Sequence, residues 1–324
     1  VGSKILAFRM AVVVDRLTPR NEACPLSLRD LLRAPLPSRC VLPIVRAPIA
    51  GVARGALVAA READAAIGLA LPPGTPADPW FAAVTAAADE VAAGLPIFLS
   101  SEVTVQGAAR ADVERAEQEA FRLVDAGITH LAVDVRGVPP PERARIFAAV
   151  AAPAAERGAC VDCLVALEDA PGALFSELAR LRASPDVVSV RCPAVEAPKE
   201  VRAQVVRLVR LCAELSGIPV VRRGPVTPAL LAELARSPIR GCEDGGAAAV
   251  AGIAVIPWER LQRQAEGETR TPALDRAAEE LSRDAADRLE ARAYVEVANL
   301  IDRLGAAGSG GALVEALERQ LAER

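Results

Sequence analysis

Short apolar runs recur along the chain at a near-regular spacing, each followed by a stretch of helical periodicity. The runs are CVLPIVRAP (40–48), AAIGLALPPG (65–74), PIFLSSEV (96–103), HLAVDVRG (130–137), ACVDCLVALED (159–169), DVVSVRCP (186–193), IPVVRRG (218–224) and IRGCEDGG (239–246). β-Branched content, length and flanking Gly or Pro mark them as buried strands. Between them, Val113, Ala116, Ala120, Phe121 and Val124 share one helical face, as do Val201, Val205, Leu208, Cys212 and Leu215. Asp78-Pro79 and Thr227-Pro228 read as N-cap and first-turn pairs, while Gly127, Gly158 and Gly217 close helices before the next strand.

Eight such strand–helix units predict an α/β fold, a (β/α)8 TIM barrel over 35–257. The eighth run is the least strand-like, being short and rich in glycine. An open doubly wound sheet would carry a Gly-rich dinucleotide turn after its first strand, and RAPIAGVARG lacks that spacing. Residues 1–34 form an N-terminal segment with a leading strand and the short helix LSLRDLLRA. Residues 258–324 form a C-terminal helical extension, with a charged helix over about 272–304, a flexible break at GAAGSGG (305–311) and a final short helix. Leu274, Leu281, Leu289, Val297, Leu300 and Leu304 give the long helix a thin apolar stripe. That stripe packs on the barrel or on a neighbouring subunit, which makes 272–304 the expected contact for a homo-oligomer or a partner subunit.

Composition narrows the function. Half of the 324 residues are apolar, the net charge is −4 and there is no basic tract, so a nucleic-acid partner is not expected. No apolar run reaches the roughly 20 residues that span a bilayer, and the N-terminus lacks a signal-peptide layout, since Arg9 interrupts its apolar segment; a cytoplasmic location follows. Cys160 and Cys163 have CxxC spacing, but on a strand residues three apart face opposite sides, so the pair reads as structural. His130 is the only histidine, which excludes any site with two imidazole ligands; at the start of its strand it reads as a hydrogen-bonded structural residue.

The C-terminal ends of barrel strands carry the chemistry. Those ends bear Arg46, then Ser100, Ser101 and Glu102, then Asp134 and Arg136, then Glu168 and Asp169. Arg191, the pair Arg222 and Arg223, and the pair Glu243 and Asp244 complete the ring. Arg46, Arg136, Arg191, Arg222 and Arg223 are candidates for clamping a carboxylate or phosphate, as on a phosphorylated small molecule. Gly224, Asp244, Gly245 and Gly246 are the candidate anion-loop residues. The same charges can instead neutralise one another, and only one of Arg222 and Arg223 can face the barrel axis. Glu102 and Asp134 are the candidate acid/base pair.

SLRDLL followed by VLPIVRAPIAGVARGALVAAREADAAIGLALPPG, then FRLVDAGITHLAVDVRG and LCAELSGIPVVRRGPVTPALLAEL, resembles class II, zinc-dependent ketose-bisphosphate aldolases over roughly 27–250. A roughly ten-residue insert after PIFLSSEV is more similar to the non-catalytic subunit of tagatose-bisphosphate aldolase. The resemblance implies an Asp-His pair ending the third run, where this chain has LSSEV. It implies one metal histidine within RCPAVEAPK and another at Arg222 or Arg223, before Gly224. Arginine cannot ligate zinc and repels it. The expectation is therefore a barrel with no metal and no cofactor, acting as a binding, accessory or assembly subunit. The alternative is a metal-independent or Mg²⁺-dependent lyase or isomerase, with Glu102, Asp134 and Glu168 as oxygen ligands. A Schiff-base mechanism would need a lysine on a barrel strand, and Lys4 and Lys199 are the only lysines.

Overall fold

The computed structural model of the chain describes residues 4–35, 40–48, 50–72, 74–169, 171–215, 217–244 and 282–323. Strand β1 (Cys24–Pro25) is a two-residue leading strand. The eight apolar runs become β2 (Leu42–Arg46), β3 (Ile67–Ala70), β4 (Pro96–Thr104), β5 (His130–Asp134), β6 (Cys160–Ala166), β7 (Val187–Arg191), β8 (Val220–Arg223) and β9 (Gly241–Asp244). All pair in parallel with their neighbours, and the β2–β9 ladder closes the barrel. Strand β1 adds to the outside of this order by pairing Cys24 with Pro96 and Pro25 with Ile97 on β4.

Two short helices, α1 (Ala11–Arg16) and α2 (Leu28–Arg33), precede the barrel. Seven more follow β2 to β8 one for one: α3 (Ala50–Glu62), α4 (Ala77–Val91), α5 (Arg110–Asp125), α6 (Arg143–Glu156), α7 (Gly172–Arg180), α8 (Pro198–Glu214) and α9 (Pro228–Leu234). Thr227 caps α9 by accepting from the Leu230 amide, as its place before Pro228 predicts. Helix α4 begins two residues earlier than the Asp78-Pro79 pair suggests, at Ala77 after Pro76, and Asp78 sits in its first turn. An acidic first-turn residue suits the helix dipole there as well as a cap would.

The alternation of the strands divides the apolar residues into two cores. One set, including Val45, Leu69, Leu99, Leu131, Val133, Val161, Val188 and Val190, packs outward against the helices. The other, including Leu42, Ile44, Phe98, Cys160, Val187 and Val221, fills the lower barrel. The tip of the Phe98 ring abuts Gly68, where any Cβ would stand 2.3 Å from it. Ile5, Leu26, Leu28 and Leu31 plug the N-terminal end of the barrel together with Leu313 and Leu317 of the last helix. Cys160 and Cys163 fall in different cores, as strand geometry requires, and all seven cysteines are free.

Helix α10 (Arg283–Leu304) begins at its cap, Ser282, and buries Leu289, Ala293, Val297, Leu300 and Leu304. It packs between α3 and α9 and over β2, the place of an eighth barrel helix. Over 283–304, the expected C-terminal helical extension docks on the barrel's helical layer, and its apolar stripe there is covered by its own barrel. Arg54 ties the layer together, donating to Glu90 of α4 at 2.6 Å and Glu290 of α10 at 3.1 Å. Residues 245–281 lie outside the described residues, with Gly245, Gly246, Leu274 and Leu281 among them. The glycine-rich break is shorter than expected. Gly305 and Gly308 take left-handed conformations, and α11 (Ser309–Ala322) starts at once. Its first turn is held to α3 and β3 by the Asp64 carboxylate on the Gly311 amide, 3.0 Å, and by the Ala66 amide donating to Ser309 Oγ.

Gly55 is where α3 and α10 touch most closely, since a Cβ there would meet the Glu290 carbonyl oxygen at 2.4 Å and Ala293 Cβ at 3.0 Å. Gly55→Val is expected to lower the unfolding free energy by about 2 kcal/mol or more through overpacking, read from urea unfolding; an unchanged midpoint would contradict this docking.

Candidate functional site at the barrel mouth

Above the apolar layers, the interior positions turn polar and charged. His130, the sole histidine, is fully buried, with Nδ1 3.0 Å from Ser100 Oγ and Nε2 3.0 Å from Asp162 Oδ2. Asp162 also accepts from the Ser189 amide at 2.7 Å, from Ser189 Oγ and from Arg223 Nη2 at 3.1 Å. Arg223 continues the chain: Nε donates to Ser189 Oγ at 2.7 Å and Nη1 to Glu243 Oε2 at 2.5 Å. Glu243 in turn accepts from Arg46 Nη2 at 2.9 Å. The side chains of Asp162, Arg223 and Glu243 are at most 5 % exposed.

The electrostatics follow from that pairing. Burial alone drives the Asp162 carboxyl upward, but the His130 hydrogen bond and the Arg223 charge outweigh it and hold the group below the ordinary aspartate value. Glu243 behaves alike: burial raises it, and Arg223 and Arg46 bring it below the usual range. Burial lowers Arg223, yet Glu243 and Asp162 raise it above an ordinary arginine. An ionised Asp162 accepts hydrogen bonds only. The shared proton therefore sits on His130 Nε2, and in neutral His130 the Nδ1 atom accepts from Ser100.

At the rim, Arg191 Nη2 donates to both oxygens of Glu102 at 2.7 Å. Arg136 grips Asp134 with a two-pronged contact, Nε to Oδ1 at 2.9 Å and Nη2 to Oδ2 at 2.6 Å, reinforced by its own backbone amide at 3.0 Å. Four of the five candidate anion-binding arginines (Arg46, Arg136, Arg191 and Arg223) are thus each bound to a carboxylate of the same barrel. The candidate acid/base residues Glu102 and Asp134 are two of those carboxylates.

The remaining arginine is elsewhere. Arg223 is the member of its pair that faces the barrel interior; Arg222 lies on the opposite face of β8, beneath α8. It is fully buried there, donating to the carbonyls of Gly224 and Pro225 and to Gln204 Oε1. It fastens the turn after β8 and does not reach the mouth, a correction to its reading as an anion clamp. Gly224 has φ of +125°, and a Cβ on it would lie 2.4 Å from the Cys192 carbonyl. Glycine is required at this position by the backbone turn itself. Burial pushes the neighbouring thiols of Cys192 and Cys242 up to about 11 and about 12, with the Arg222 charge pulling the other way.

The residues present do not suit the zinc that the sequence resemblance implies. His130 has both ring nitrogens engaged and lies below the guanidinium of Arg223, which occupies the strand end directly before Gly224. Among the described residues, no group of three His, Cys, Asp or Glu side chains could hold a metal ion. The trio Glu102, Asp134 and Glu168, expected as Mg²⁺ ligands in the alternative, is likewise not such a group: the first two are bound by arginines and Glu168 is exposed. Lys4 and Lys199 are both exposed and off the barrel strands, which leaves no lysine for a Schiff base. Asp244 is buried and interacts with its surroundings at the end of β9. Asp162 and Ser189 were not singled out by sequence, although each is a polar residue at an interior position of a buried strand, and that was the available signal.

No family model matches the chain, and no curated protein matches it in sequence. Solved structures do match in fold. The YdjI aldolase from Escherichia coli K12 superposes with a TM-score of 0.58 at 12% identity, covering 84% of this chain and 94% of that one. A provisionally assigned fructose-1,6-biphosphate aldolase from Coccidioides immitis gives 0.59 at 13% identity, covering 84% and 93%. The chain therefore shares the aldolase-like TIM-barrel fold. No described helix is long and apolar enough to cross a membrane.

Because Asp162 and Glu243 are depressed in the folded state, they stabilise it fully above the unfolded carboxyl values of about 4. That stability is lost as pH falls below them and through the lower folded values. Unfolding free energy followed from pH 6 down to about pH 2 should fall steeply below about 4. Asp162→Asn should be less stable at pH 6 and show a shallower fall; a parallel curve would show that Asp162 carries none of this dependence.

Proposed function

We propose that this chain is an aldolase-like barrel without metal-dependent aldol chemistry, serving as a binding or accessory subunit. One observation carries the reading: the buried guanidinium of Arg223, bound by Asp162 and Glu243, stands at the strand end where the resemblance places a metal-binding imidazole. A fixed positive charge there opposes a divalent cation, and its carboxylate partners are already committed to it. The lyase or isomerase alternative is less favoured, because the oxygens of both candidate carboxylates are already engaged by arginines and not presented to a substrate. Assembly with a partner would use a surface other than the apolar stripe of α10, which the barrel itself covers.

Metal analysis of protein purified with zinc present, alongside an aldol-cleavage assay on fructose and tagatose bisphosphates, tests the proposal. Substoichiometric zinc and no cleavage above a heat-killed control are expected. One zinc per chain accompanied by cleavage would overturn it.

A further inference from the structure

Two kinds of ion pair occupy the mouth, and they differ in how firmly they are held. Arg223 with Glu243 is buried, and Arg136 with Asp134 forms a fork between residues two apart on one chain segment. Arg191 with Glu102 is neither. Arg191 ends β7 and Glu102 lies near the end of β4, with β5 and β6 between them. The pair is a strap across the opening. Its side chains are 39% and 22% exposed, so solutes can reach it.

The strap is also imperfectly made. A single nitrogen, Nη2, serves both Glu102 oxygens, where an arginine fork would offer two. Arg191 Nε is buried and has no acceptor among the described residues. A desolvated cationic donor without a partner is costly, and it gives a better-fitting acceptor something to gain. Arg46, 36% exposed, is a second cation at the rim, donating through Nη2 to Glu243. Glu102 also lines a groove of about 430 Å³ beside α5, where Arg115 and Arg122 are paired with Asp112 and Glu119.

We propose that Arg191 forms a small-oxyanion site whose resident occupant is the tethered Glu102 carboxylate, and that a free phosphate or carboxylate group enters by displacing it. The site takes the charged end of a small metabolite, and Glu102 sets its affinity by competing intramolecularly. This deepens the reading of the chain as a binding barrel and rests on it in one respect, that Glu102 is a ligand mimic and not a base.

Isothermal titration of inorganic phosphate, and separately of acetate, into the full-length protein tests the site in wild type, Glu102→Gln and Glu102→Gln/Arg191→Gln. Removal of the competitor in Glu102→Gln should tighten binding of at least one of the two anions roughly tenfold or more, and adding Arg191→Gln should abolish the gain. The better of the two anions identifies the ligand class. Equal affinity of both anions for wild type and Glu102→Gln, or binding that survives in the double variant and so marks an adventitious ion only, overturns the proposal. Should Glu102→Gln fail to fold, the Arg191 Nε–H signal followed by NMR during titration of wild type with the two anions decides instead: movement supports the site, and no movement at saturating anion overturns it. Turnover that disappears in Glu102→Gln would instead sink the non-catalytic reading.

Discussion

A guanidinium group sealed inside a β-barrel between two carboxylates constrains everything built above it. Moving a lone charge from water into a protein interior costs several kcal/mol even after relaxation. Arg223 is tolerable only because Asp162 and Glu243 meet it directly. Those carboxylates in turn need their remaining lone pairs satisfied, by His130 and Ser189 on one side and by Arg46 on the other. Each member is therefore required by its neighbours. The set behaves as one unit, and breaking it anywhere leaves a stranded charge.

That unit decides what the mouth can do. It takes the central space where a catalytic ion would need neutral or anionic donors, and it uses the interior carboxylates as counterions. The apolar layer of Phe98, Cys160, Val187 and Val221 beneath it leaves no second polar floor. Among the described residues, the pair spanning β4 and β7 is solvent-reachable and loosely held. The fold shared with solved aldolases supplies the scaffold.

Much of the scaffold was legible because its signals are local. Eight apolar runs with turn residues between them became eight strands, and the two faces of CVDC diverged as strand periodicity demands. The parity of Arg222 and Arg223 showed that one must point inward, but not which, since that depends on where the strand enters the barrel. The partners of the inward one were not legible at all. Glu243 on the neighbouring strand β9 is Arg223's register partner, and Asp162 lies two strands away on β6, pairings set by tertiary register that no local pattern encodes. Where the C-terminal helix docks was not legible for a related reason: a long segment, 245–281, separates it from β9, so its place beside α3 follows from packing and not from spacing.

A double-mutant cycle between Arg223 and Glu243 tests the ionic core most directly. With Arg223→Met, Glu243→Gln and the combined variant compared by denaturant unfolding at neutral pH, each single change should be strongly destabilising. The combined variant should be more stable than the sum of the single losses predicts, with a coupling of about 1–3 kcal/mol. Additive losses would mean that the two charges do not neutralise one another, and the account of a self-sealed barrel would fail.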